Sequence, residues 1–259
     1  MLTTLLTRIK QKHRTYPFPD KKPLLPERFR GLPDADCSKC DSGCDECVKA
    51  CPVNALSKKE NQELLIDLGR CLFCLDCTEA CPRGAIHFSN IYSLSSAHRK
   101  DLIWSNTGPF KPKAVLDKKR RKLFQRSLKL RQVSAGGCNA CEADINVLNT
   151  PFFDLSRFGI QFVASPRHAD GILITGPVTQ NMHDALIKTY EAVPDPKIVI
   201  ALGACAISGG LYSDHAEATG IPSSIPVDLY IPGCPPHPFT ILDGLLHLLG
   251  IKPNEDKRD

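Results

Sequence analysis

Cys71-Leu72-Phe73-Cys74-Leu75-Asp76-Cys77-Thr78-Glu79-Ala80-Cys81-Pro82 is the stretch that decides how this chain is read. It runs C-x2-C-x2-C-x3-C-P, a spacing that wraps three thiolates around one iron–sulfur cube and hands the fourth to a second cube. A second motif must therefore stand close by. It lies just upstream and ends in Cys47-Val48-Lys49-Ala50-Cys51-Pro52. The duplication continues past each motif, with Cys51-Pro52-Val53-Asn54-Ala55-Leu56 set against Cys81-Pro82-Arg83-Gly84-Ala85-Ile86. Residues 34–90 are thus expected to form an α+β domain around two [4Fe–4S] clusters, each half giving a short strand and a short helix. Structural zinc would use paired C-x2-C knuckles, without a third cysteine and a C-x3-C-P end.

The pattern resembles bacterial-type two-cluster ferredoxins, with one departure. The first motif reads Cys37-x2-Cys40-x3-Cys44-x2-Cys47-x3-Cys51-Pro52, one cysteine too many. Either Cys37, Cys40 and Cys47 bind and Cys44 sits in an inserted loop, or Cys40, Cys44 and Cys47 bind and Cys37 is spare. The first option keeps the C-x2-C start and is preferred here; both remain open. By the crossing rule Cys81 completes the first cluster, and Cys51 joins Cys71, Cys74 and Cys77 in the second.

Length and composition fit one or two globular domains: 259 residues, 42% of them apolar. No run approaches the ~20 apolar residues of a membrane helix, and the N-terminus carries no charged leader ahead of an apolar stretch. A cytoplasmic chain is expected. Thirteen cysteines there point to metal ligands rather than disulfides. Nine fall between positions 37 and 81; the other four are Cys138, Cys141, Cys205 and Cys234.

The net charge of +5 is unevenly spread. Residues 91–131 hold 12 Lys/Arg against 2 Asp/Glu, residues 1–30 hold 8 against 2, and the remainder 13 against 24. Residues 1–33 read as a basic arm. Leu2, Leu5, Leu6 and Ile9 lie at helical spacing, and Pro17, Pro19, Pro23, Pro26 and Pro33 then enforce an extended path. A helix of this kind suits a membrane surface or, as preferred here, a neighbouring subunit. Residues 91–127 read as a basic linker peaking at Lys118-Lys119-Arg120-Arg121-Lys122, with Pro109 and Pro112 marking the domain boundary. Such a run could neutralise phosphates. It has no aromatic platform beside it and sits between two metal-binding regions, so a solvated or subunit-docking helix is expected, not nucleic-acid binding.

From residue 128 to 250 strands and helices alternate. Leu128–Val133, Ile160–Ala164, Gly171–Thr175, Ile198–Leu202 and Val227–Ile231 read as strands, and 179–193 and 239–249 as helices; residues 251–259 form a tail. This predicts an α/β, flavodoxin-like, doubly wound parallel sheet. Ligands bind beyond the carboxyl ends of such strands, and the remaining cysteines sit there. Cys138 and Cys141 follow the first strand, Cys205 follows Ile198–Leu202, and Cys234 follows Val227–Ile231. Glycines flank them in Gly136-Gly137-Cys138, Gly203-Ala204-Cys205 and Gly233-Cys234-Pro235-Pro236, letting backbone N–H groups approach sulfur. A third [4Fe–4S] cluster on Cys138, Cys141, Cys205 and Cys234 is expected.

Five ordered motifs carry a further resemblance: Gly136-Gly137-Cys138-Asn139-Ala140-Cys141-Glu142, Ser165-Pro166-Arg167-His168-Ala169-Asp170, Gly176-Pro177-Val178-Thr179, Gly203-Ala204-Cys205 and Pro232-Gly233-Cys234-Pro235-Pro236. Over residues 128–250 the chain resembles the small subunit of membrane-bound, energy-conserving [NiFe]-hydrogenases of the formate-hydrogenlyase type, related to the complex I subunit holding the terminal cluster. The front half resembles the separate two-cluster subunit of those assemblies, so the chain reads as a fusion. The resemblance implies a third cluster proximal to a NiFe centre in a different, large subunit. It also implies a proton-path role for Glu142 and a place for Arg167 and His168 at the large-subunit interface. Cys138-x2-Cys141 follows the hydrogenase pattern; complex I subunits carry adjacent cysteines in this loop.

The expected function is an electron-transfer subunit of an oxidoreductase complex, itself without the NiFe ligands. Three clusters would pass electrons between a donor module, of formate-dehydrogenase type or a soluble ferredoxin, and the large subunit. Integral membrane antiporter-like subunits would be further partners, placing the chain peripherally on the cytoplasmic side of the inner membrane. A complex I-like quinone-reductase module and a non-enzymatic redox sensor are the competing readings. No dinucleotide fingerprint, P-loop or hydrolase triad order appears.

Overall fold

Two Cys-Pro pairs shape the front half, because proline cannot continue a helix and each pair closes a one-turn helix before a short strand. The computed structural model describes residues 2–12, 14–41, 43–59, 63–105, 110 and 115–251. Helix α1 (Leu2–Gln11) comes first, then β1 (Pro33–Ala35), α2 (Glu46–Lys49), β2 (Leu56–Lys58), β3 (Leu64–Asp67), α3 (Asp76–Glu79), β4 (Ile86–Phe88) and β5 (Ile103–Ser105). β1 pairs antiparallel with β4, Ala35 opposite Ile86. β2, β3 and β5 form a second antiparallel sheet, with Leu56 opposite Ile66 and Ile66 opposite Trp104. Leu32, Leu56, Leu64, Ile66, Phe73, Ile86 and Leu102 share one small core with Cys47 and Cys77. The stretch expected as a linker thus supplies a strand, β5, to this half. Pro109 and Pro112, the expected boundary, lie outside the described residues, as does nearly all of the expected tail.

The back half continues with α4 (Lys118–Phe124), β6 (Leu128–Ser134), α5 (Ala140–Val147), β7 (Ile160–Phe162), β8 (Gly171–Thr175), α6 (Gln180–Ala192), β9 (Ile198–Leu202), α7 (Ala204–Ser208), β10 (Leu229–Ile231) and α8 (Pro238–Leu249). The strands form one parallel sheet in the order β10-β9-β8-β6-β7, the flavodoxin order read from its other edge. β8 and β9 are buried at every position, as strands covered on both faces must be. Their side chains alternate between two cores. Leu173, Ile198, Ile200 and Leu202 pack with Ile145 of α5 and Leu242, Leu245 and Leu246 of α8. Ile172, Ile174 and Val199 pack with Leu186 of α6. Helices therefore cover both faces.

Two contacts tie the halves together: Ser93 Oγ donates to Asp243 at 2.6 Å, and Ser96 forms a bridge with Tyr230 of β10. Arg30 Nη1, at the end of the arm, donates to the Phe73 carbonyl at 2.9 Å. The arm folds over the back half, with Thr15 Oγ1 donating to the Pro151 carbonyl and Arg157 donating to the Tyr16 and Phe18 carbonyls. α1 buries none of its residues, and Leu2, Leu5, Leu6 and Ile9 are all exposed.

Candidate iron–sulfur centres

Backbone N–H groups pre-set the front cysteines. Ala55 donates to Cys51 Sγ and Ala85 to Cys81 Sγ, both at 3.2 Å, so the repeat is reproduced bond for bond. Phe73 donates to Cys71 Sγ at 3.3 Å from a backbone with φ of 54°. Burial works to raise the Cys81 thiol, yet the N–H groups of Ala85, Arg83, Ile86 and Gly84 outweigh it and leave it below the usual thiol value. Such donors favour thiolate, the form that ligates metal.

The thiols fall into three groups, legible from which charges act on which. In the first, burial pushes Cys40 up, and Cys37 and Cys81 add to it; burial likewise raises Cys47, with Cys81 and Cys40 adding. The Cys44 carbonyl accepts from Lys58 Nζ. In the second group, burial pushes Cys71 up to about 12, with Cys77, Cys51 and Cys74 contributing. Cys77 is pushed by burial up to about 11, with Cys74, Cys51 and also Cys47 of the first group acting on it.

The third group stands at the carboxyl ends of β6, β9 and β10. Cys138, Cys141, Cys205 and Cys234 line one pocket with Gly137, Gly176, Gly233 and Pro235. Burial raises Cys141 strongly, with Glu142, Cys205, Cys234 and Cys138 adding. Gly203 adopts φ of +88°, and a Cβ there would lie 2.7 Å from Cys141 Sγ, so the loop needs glycine for both conformation and space. Burial raises Cys234 too, and the charges acting on it are Cys138 and Cys74. Cys74 and Cys234 also border one cavity of about 850 Å3, with Arg28, Arg30 and His237 on its walls. The second group therefore lies within electrostatic reach of the first through Cys47 and shares a cavity with the third through Cys74 and Cys234.

Donor chemistry fits clusters better than single ions. One zinc ion draws its sulfurs to about 2.3 Å from a common centre. Among the described residues no three Cys, His, Asp or Glu converge closely enough to hold one ion. Cysteine-only sets of four suit a polynuclear cube.

Glu142 is 6% exposed and accepts from Ser134 Oγ at 2.6 Å and Thr175 Oγ1 at 2.5 Å. Burial opposes its charge, but these hydroxyls hold the carboxyl below its usual value. His168 and Arg167 sit in a short 3-10 turn (Pro166–His168), away from the three thiol groups, with His168 lining a shallow pocket beside Asp170 and Pro196. Sequence reasoning missed Lys58, Arg30, Ser134 and Thr175. Setting the two repeats side by side exposes Lys58, which stands where the second copy has Phe88; the other three carry no signal in spacing.

Comparison with known proteins bears on the same segments. The family described as "NADH ubiquinone oxidoreductase, 20 Kd subunit" matches residues 138–248, and the "4Fe-4S dicluster domain" matches residues 36–85. The "Probable membrane-bound hydrogenase subunit mbhJ" of Pyrococcus furiosus is 45% identical over 127 residues, 48% of this chain and 75% of that protein. The chain belongs to the complex I 20 kDa and [NiFe]-hydrogenase small-subunit family. "Formate hydrogenlyase subunit 7" of Escherichia coli is 46% identical over 131 residues, 50% of this chain. The match takes in about half, 51%, of that relative's length. A solved chain of an archaeal membrane-bound sulfane sulfur reductase is 39% identical, with a TM-score of 0.45, covering 52% of this chain and 75% of its own. This family member is an iron–sulfur subunit of an oxidoreductase complex, joined in one chain to a [4Fe–4S] dicluster domain. Among the described residues no helix is long and apolar enough to cross a membrane.

Proposed function

We propose that the chain is the electron-transfer subunit of a membrane-associated [NiFe]-hydrogenase complex of formate-hydrogenlyase type. Cys37, Cys40, Cys47 and Cys81 would hold the first cluster, Cys51, Cys71, Cys74 and Cys77 the second, and Cys138, Cys141, Cys205 and Cys234 the third. When bound, the three [4Fe–4S] clusters supply one-electron carriage between a donor module, of formate-dehydrogenase or ferredoxin type, and a NiFe centre in a partner large subunit. The observation that carries this reading is the set of four thiols, Cys138, Cys141, Cys205 and Cys234, around one pocket at the strand ends, with Cys234 and Cys74 of the second motif bordering one cavity.

The chain's own residues do the rest. N–H donors from Ala55, Phe73 and Ala85 orient thiolates. Arg30 holds the Phe73 carbonyl and so ties the second motif to the N-terminal arm, which itself bonds to Pro151 and Arg157 of the back half. Glu142, held as a carboxylate by two hydroxyls beside Cys141, is the acidic residue that a proton path near the third group would pass. α1, with its exposed apolar stripe, suits docking against membrane-complex partners, including integral membrane antiporter-like subunits, on the cytoplasmic side of the inner membrane.

A complex I-like quinone-reductase reading is favoured by the name of the matching family. The first loop argues against it, since Asn139 and Ala140 separate the two cysteines. Purification of the complex, with nickel analysis and an assay of H2-linked dye reduction, decides. Nickel with H2-linked activity is expected; quinone reduction without nickel would overturn the hydrogenase reading.

A further inference from the structure

Positions 58 and 88 occupy one place in the duplicated half. Each closes a strand that begins five residues after a Cys-Pro cysteine, and each is half-buried behind a buried and then an exposed residue. The first copy has lysine there and the second phenylalanine. Phe88 packs against Phe73, inside the second motif, with ring centroids 6.3 Å apart. Lys58 instead reaches the first motif, where its Nζ donates to the carbonyl of Cys44. Cys44 lies in the stretch that makes this motif longer than its twin.

Cys44 stands between two ligands of the first motif, four residues after Cys40 and three before Cys47, so an ammonium held at its carbonyl lies beside the site those cysteines form. At the second motif Arg30 reaches the Phe73 carbonyl, but position 88 itself carries no charge.

We infer that Lys58 is a positioning residue that sets the first cluster site apart from the second, pinning the five-cysteine loop by the Cys44 carbonyl and favouring the reduced cluster with its charge. This rests on the reading that Cys37, Cys40, Cys47 and Cys81 hold a cube. Reduction adds one electron to a cluster and breaks no bond, so a fixed cation beside it stabilises the reduced form. Phe88 supplies no such charge, so the lysine's bias toward the reduced form belongs to the first site and has no counterpart at position 88 of the second. The pin also holds in place the stretch between Cys40 and Cys47, which runs to six residues, Cys44 among them, where the second motif has two between Cys74 and Cys77.

The test is a redox titration of the intact, cluster-loaded chain followed by EPR. In Lys58→Met the reduced-to-oxidised ratio of one ferredoxin-type cluster should fall about tenfold at fixed potential, which is 59 mV for a one-electron couple. The other two signals should stay put, and Lys58→Arg should restore the parent value. An unchanged first cluster in fully loaded Lys58→Met, or a shift confined to another cluster, overturns the inference. Should Lys58→Met lose the cluster, Phe88→Lys decides: the second cluster's reduced fraction should rise, and an unmoved potential overturns the inference. A parent chain that lacks the first cluster's signal fails the underlying ligand reading instead.

Discussion

Serine at position 44 and serine at position 37 should behave differently, although both cysteines stand in the same crowded motif. Cys37 and Cys81 act on Cys40, whereas the Cys44 carbonyl is held by Lys58. Cys44→Ser is expected to keep the iron content of the parent, while Cys37→Ser loses about four iron atoms per chain, one cube's worth. Iron analysis checks it, and the reverse outcome would assign Cys37 as the spare thiol. Glu142 gives a second residue-scale prediction. Its carboxyl sits below the usual value, so its stability contribution is present above about pH 4.3 and lost as pH falls through the lowered pKa. Glu142→Gln should lower unfolding free energy at pH 7 by about 1–2 kcal/mol, through weaker hydrogen bonds to Ser134 and Thr175. Urea denaturation measures this, and an unchanged midpoint would remove the ionised carboxylate from the site. Sequence spacing made the cysteine groups legible, because ligation demands a short period. It could not reveal Ser134 or Thr175, which meet Glu142 only after β6, α5 and β8 are assembled.

At the level of elements, the back half was readable because its strands are continuous apolar runs and its long helices carry a regular apolar period. Helices α6 and α8 and all five strands lie where the pattern put them, to within a few residues. The strands of the front half span three or four residues, too few for alternation to show. β5 was hidden within the basic stretch, since Ile103-Trp104-Ser105 gains meaning only when paired beside Leu65 and Ile66. α5 and α7 start inside cysteine loops, where the motif masked the helix. Two predictions belong here. Leu245 of α8 is fully buried, and Leu245→Ala should cost about 2–5 kcal/mol, seen as a lowered melting temperature. Leu5 and Ile9 of α1 are 59% and 70% exposed, so Leu5→Asp with Ile9→Asp should leave the unfolding free energy within about 0.5 kcal/mol of the parent. The same double variant should weaken co-sedimentation with membranes; undiminished attachment would show that α1 is not the docking element.

Across the whole molecule, the fusion places thiol groups that start on separate motifs into one row. The arm and the segment from Ser93 to Ser96 bind the halves at Phe73, Asp243 and Tyr230, which keeps Cys74 facing Cys234 across their shared cavity. Everything proposed for electron transfer depends on that row being filled from end to end. Iron and sulfide analysis of the intact, cluster-loaded chain, beside Cys205→Ser, tests it most directly. About twelve iron atoms per parent chain and about eight in the variant are predicted; about eight in both, with zinc or bare thiols at Cys138, Cys141, Cys205 and Cys234, would contradict the account.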